Sequence, residues 1–121
     1  MIQLGRCDVC LTVESAQVSR AFYEKLDFRK VEGDDDEGWA VVTNRNLRLG
    51  LFEKRYMGSD AISLNFRGGD VMANSAELKR RGIGFEREPT AGRNGGASAS
   101  LRDPDGTLIF LDTAPGESAE L

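Results

Sequence analysis

Apolar and polar residues alternate along CDVCLTVE, residues 7–14. Val9, Leu11 and Val13 fall on one side, and Asp8, Cys10 and Thr12 on the other. A period of two marks a strand with one apolar face. Ser15 is then an N-cap. Val18, Phe22 and Leu26 follow at four-residue spacing with Ala21 beside them, which predicts an amphipathic helix of about three turns ending near Asp27. Phe28 opens a strand that runs to about Glu32. GDDDEG (33–38) is a turn, strands follow at 39–43 and 47–53, and residues 44–46 turn between them. In the second of these strands Leu47, Leu49 and Leu51 form the apolar face, and Arg48, Gly50 and Phe52 the other. Residues 54–60 have the composition of a linker.

The order then repeats. Ile62, Leu64 and Phe66 alternate with Ser63, Asn65 and Arg67. Asp70 caps a helix carrying Val71, Ala76 and Leu78, and Gly82 is placed to stop it. A strand is expected at 83–88, closed by Pro89. A loop at 90–96, a strand at 97–101, a DPDG turn at 103–106 and a last strand at 107–113 follow. The polar residues 114–121 form a flexible tail. Each half therefore reads strand, helix, strand, strand, strand, an internal duplication of pattern. Neither half, at about 60 residues, buries much core alone. The expectation is an α+β chain with a single domain over 1–121, made of βαβββ modules at 5–54 and 60–113.

Composition narrows the chemistry. The chain contains no histidine, which removes the commonest general base and transition-metal ligand. Its net charge of -4 argues against a nucleic-acid partner, which needs a concentrated basic patch. No apolar run approaches the roughly 20 residues needed to span a bilayer, and the start MIQLGRCDVC lacks the pattern of a signal peptide. No membrane partner and a cytoplasmic location are therefore expected. Cys7 and Cys10 form a lone CxxC along a strand, which puts their side chains on opposite faces, so neither a disulfide nor a zinc pair is expected. The four acids in GDDDEG lack the alternating oxygen ligands of a calcium loop. The loop TAGRNGG is not a phosphate loop, but its glycines would suit a flap.

Three stretches, SRAFYEKLDF (19–28), AELKRRGIGFEREP (76–89) and LRDPDGTLIFLDT (101–113), resemble the vicinal oxygen chelate superfamily of glyoxalases, bleomycin-resistance proteins and extradiol dioxygenases. With the strand order, the likeness spans nearly the whole chain. It implies two modules whose strands curl as a mixed sheet around a cleft, and a homodimer. It also implies metal ligands on the first and last strands of each module, positions held here by Asp8, Gly50, Ser63 and Phe110. Only Asp8 is a plausible ligand, and a divalent site needs at least about three. No metal and no other cofactor are therefore expected.

The alternation nominates a cleft lining of Asp8, Cys10, Thr12, Arg48, Phe52, Ser63, Asn65, Arg67, Leu108 and Phe110, with Trp39 at its rim and Tyr56 and Met57 nearby. The phenylalanines offer stacking area, Ser63 and Asn65 orient a ligand, and Arg48 and Arg67 could clamp an anionic group. The expected function is metal-free binding of a small molecule, an antibiotic or aromatic metabolite. No catalytic residue is expected unless Asp8 acts as a base. The alternative is a metal-dependent lyase, isomerase or dioxygenase of the same superfamily.

Overall fold

The computed structural model describes residues 2–118. They fall into two compact units. One is Asp8–Ser63, and the other joins the N-terminal residues up to Cys7 with the chain from Leu64 onward. The expected α+β class is borne out: strands pair both parallel and antiparallel, and helices pack on them. Among the described residues, no helix is long and apolar enough to cross a membrane.

The Asp8–Ser63 unit takes most of β1 (Gly5–Val13), then α1 (Ala16–Glu24), β2 (Arg29–Asp34), β3 (Trp39–Thr43), β4 (Arg48–Glu53) and a short α2 (Lys54–Met57). Its strand order is β2-β3-β4-β1. β1 runs parallel to β4 with Cys10 opposite Gly50 and Thr12 opposite Phe52. β3 runs antiparallel to β4 with Trp39 opposite Phe52. Val42, Leu49 and Leu51 are buried with Val9, Leu11, Val13, Tyr23 and Phe28 packed against them, so one strand face makes the core with α1. The other face is left for side chains of the opposite phase.

Ser15 caps α1 as expected, its Oγ accepting from the Val18 N–H at 3.2 Å. The apolar stripe does not face the core, however: Val18, Phe22 and Leu26 are 70%, 56% and 54% exposed. The helix docks instead through Ala16, which is fully buried, and Tyr23, which meets Phe28 edge to face at 5.5 Å. Arg20 on the same side donates to Asp35 at 2.5 Å and ties the helix to the acidic turn. A small residue at the first turn lets the helix approach closely, and an aromatic seven residues on fills the space, so spacing alone misassigned the buried side. Leu47, too, is outside the strand and exposed rather than aligned with Leu49 and Leu51.

The second unit contains β5 (Ile62–Gly68), α3 (Val71–Arg80), β6 (Arg87–Ala91), β7 (Ala97–Arg102) and β8 (Leu108–Thr113), in the order β5-β8-β7-β6. Val71, Ala99, Leu101 and Leu111 form its core, with Leu4, Phe66, Leu78, Phe85 and Ile109 against them. Asp70 caps α3 by accepting from the Ala73 N–H at 3.0 Å, and Gly82 adopts φ +88° after it. In the DPDG turn, Asp103 Oδ1 accepts the N–H groups of Asp105 and Thr107 at 2.9 and 2.8 Å.

One expectation changes here. The strand expected at 83–88 lies at 87–91 and runs through Pro89. β6 is at the end of the strand order, and its pairing with β7 shifts between Arg87 and Thr90. A proline, which has no N–H to give, is tolerated at such a place. Residues 114–118 turn back, and Glu117 bonds Arg6 at 2.8 Å; residues 119–121 lie outside the described part.

Candidate functional site

On the face of the Asp8–Ser63 unit opposite its core, three rows of side chains run across β1, β4 and β3. The first is Thr12, Phe52 and Trp39. Trp39 and Phe52 stack with ring centroids 5.6 Å apart and planes 9° from parallel. Tyr56 meets Phe52 edge to face at 5.9 Å and is anchored by its hydroxyl, which donates to the Glu37 carbonyl at 2.6 Å. The Thr12 hydroxyl donates to the Asp60 carbonyl. The second row is Cys10, Gly50 and Val41. A Cβ at Gly50 would come within 2.6 Å of the Phe52 ring and 2.9 Å of Cys10 Sγ, so the missing side chain is what lets Phe52 fold back over the strand.

The third row is ionic. Arg48 donates to both oxygens of buried Asp8, Nε to Oδ1 at 2.6 Å and Nη2 to Oδ2 at 3.3 Å, and Nη2 also reaches Glu32 at 3.3 Å. The hydrogen bond to Asp8, reinforced by both acids' charge and only partly opposed by burial, raises the Arg48 pKa. Nε and Nη2 of the guanidinium therefore both face carboxylates of its own unit. Ser63 is buried at the end of the same unit.

In the second unit the equivalent face carries Asn65 and Arg67 on β5 and Leu108, Phe110 and Asp112 on β8, out of phase with core residues Phe66, Ile109 and Leu111. Arg67 Nε lies 3.1 Å from Glu117 Oε2, the same oxygen that Arg6 Nη2 reaches at 2.8 Å. Of the residues expected from the sequence, Asp8 with Arg48 and Trp39 with Phe52 are brought together in pairs, and Cys10 lies beside the latter. Arg6, Asp112 and Glu117 were missed. Arg6 is in phase with Asp8 and Asp112 with Phe110, so alternation could have found those two. No local signal marks Glu117.

Burial raises the pKa of Asp112; the Arg67 charge opposes the shift and the Glu117 charge adds to it. Stability tied to such a group is fully present below its unfolded pKa, near 4, and declines as pH rises through the higher folded value. Asp112→Asn is therefore expected to melt above the wild type at pH 7, with the gap closing on acidification toward about pH 4. Thermal denaturation at both pH values checks it; an equal or lower melting point at pH 7 would mean that Arg67 stabilises the ionised acid more than burial penalises it.

The model of the Glyoxalase/Bleomycin resistance protein/Dioxygenase superfamily matches residues 4–111. The chain belongs to that superfamily. Among solved structures it is similar to one described as an NAD-dependent benzaldehyde dehydrogenase from Legionella pneumophila, at 21% identity and a TM-score of 0.74, covering 89% of this chain and 98% of that one. It is also similar to a superfamily member from Vibrio splendidus 12B01 (16% identity, TM-score 0.66, 91% and 99% covered) and to a hypothetical protein from Bacillus halodurans C-125 (19%, 0.67, 97% and 99%). At these identities the likeness is one of fold. No curated protein matches the chain.

The metal that gives part of this superfamily its chemistry does not fit these residues. Of the four positions at which the resemblance places ligands, Gly50 and Phe110 carry no donor, and Ser63 offers a neutral hydroxyl. Asp8 is held by a guanidinium whose charge would repel a cation. Among the described residues no three His, Cys, Asp or Glu side chains converge.

Proposed function

We propose that this superfamily member is a homodimeric protein that binds a small aromatic molecule, an antibiotic or an aromatic metabolite, without a metal. The observation that carries the reading is the Trp39–Phe52 stack: two half-buried rings, nearly parallel, on the strand face opposite the one that packs with α1. Such a shelf offers apolar area to a third ring, and Tyr56 closes one side of it. The donor set supports a metal-free reading, since Asp8, the one carboxylate among the four ligand positions, is already paired with Arg48.

Native mass spectrometry on freshly purified protein is the test, followed by titration of aromatic ligands against the fluorescence of Trp39, the sole tryptophan. The expected result is a dimer without metal, and quenching whose apparent affinity drops roughly tenfold in Phe52→Ala, the equivalent of about 1.4 kcal/mol. Stoichiometric metal that disappears in Asp8→Ala would overturn the reading, as would the absence of any aromatic ligand.

A further inference from the structure

Glu117 behaves as a ligand of its own protein. Its backbone N–H donates to the Ala114 carbonyl at 3.0 Å, its Oε1 accepts the Ala114 N–H at 3.0 Å, and Gly116 between them adopts φ +76°. This small turn presents Oε2 to the Arg6 and Arg67 guanidiniums at 2.8 and 3.1 Å. The Glu117 side chain is only 12% exposed there. The two arginines are carried by β1 and β5, whereas the acid is carried by a short turn beyond the last strand. Guanidinium groups are the donors with which proteins recognise carboxylates, and here two of them converge on one oxygen. Two residues back along β5, on the same face, the buried Asn65 Oδ1 has no hydrogen-bond partner among the described residues, an acceptor left for a donor from outside them. Phe110, on the adjacent strand β8, adds apolar surface of the same phase.

We propose that Arg6 and Arg67 form a binding site for the carboxylate of a small aromatic acid, and that Glu117 occupies this site as a tethered competitor until such a molecule displaces it. The inference rests on the small-molecule reading above and adds a charge to the ligand class. A group held by a short tether competes at an effective concentration on the order of millimolar. Removing its charge while keeping its shape therefore strengthens binding of an external carboxylate and leaves a neutral isostere unaffected.

The test uses the full chain and two probes followed by fluorine NMR, 4-fluorobenzoate and its neutral counterpart 4-fluorobenzamide. Glu117→Gln is expected to bind the benzoate roughly tenfold more tightly than the wild type does, with the benzamide unchanged. Adding Arg67→Gln should abolish the gain, with circular dichroism confirming that both variants are folded. In the wild type, saturating benzoate should speed hydrogen exchange at the Ala114 amide, which loses its Glu117 acceptor. An equal gain for both probes would make the tail a steric cover and overturn the proposal, as would no gain for the benzoate. If the benzamide binds while the benzoate gains nothing, the small-molecule reading survives and the tethered competitor does not. If neither probe binds any variant and the purified protein carries no organic adduct, both fall.

Discussion

Gly5→Ala is expected to destabilise the protein by about 4 kcal/mol or more, a large share of the roughly 5–15 kcal/mol that holds a domain of this kind together. Two effects add. Gly5 has φ +98°, a conformation that costs an L side chain on the order of 1–3 kcal/mol. A Cβ there would also lie 2.0 Å from the Arg67 carbonyl oxygen and 2.9 Å from the Gly69 nitrogen. These are backbone atoms, so relief requires the chain of β5 to move rather than a side chain to rotate. A fall in melting temperature of roughly 10–20 °C follows. Gly82→Ala is the control. It shares a positive φ of +88° but has no atom within 4 Å of the new methyl, so about 1 kcal/mol is expected from conformation alone. Equal losses in urea denaturation for the two variants would show that the close approach is not what Gly5 serves. The approach matters for the site because the next residue is Arg6. The missing side chain at Gly5 is what brings this guanidinium alongside Arg67.

That relation also shows where sequence reasoning succeeds and stops. Strand phase was readable from alternation: Asp8, Cys10 and Thr12 do lie opposite the core face of Val9, Leu11 and Val13, and Arg48, Gly50 and Phe52 lie opposite Leu49 and Leu51. Caps at Ser15 and Asp70 were readable because capping is local chemistry. What failed depended on partners distant in the chain. α1 carries two candidate stripes. The more hydrophobic one faces outward because Ala16 and Tyr23 fit the sheet and Arg20 meets Asp35, choices that spacing does not encode. Pro89 reads as a stop, yet β6 is at the end of the strand order, where a missing N–H is tolerated. Glu117 lies in a polar stretch that resembles any solvated tail; its role exists only because Arg6 and Arg67, 111 and 50 positions away, converge on it. The pairing of Arg48 with Asp8 was hidden for the same reason. Their phases were legible, but that they face each other required the parallel register of β1 and β4.

Arg48→Met tests the meaning of that pairing. Its side chain is 24% exposed and that of Asp8 only 4%, so the substitution withdraws a guanidinium from a carboxylate that water hardly reaches. Breaking a buried pair from one side typically costs about 3–5 kcal/mol; the partial exposure of Arg48 puts the expected loss near the lower figure, about 3 kcal/mol. Asp8→Asn should cost less, about 1–2 kcal/mol, because Arg48 keeps Glu32 and some solvent. Combining the two should recover at least about 1 kcal/mol relative to the sum of the single changes, the coupling expected of residues in direct contact. Urea denaturation of the four proteins measures it. A strictly additive pair, or an Arg48→Met variant as stable as the wild type, would mean that Arg48 is not spent on Asp8 and can serve a ligand. With the expected coupling, Arg48 and Asp8 are a structural pair two rows along the strands from the aromatic shelf. Recognition of an anion then falls to Arg6 and Arg67, whose carboxylate partner is a tail residue that can leave.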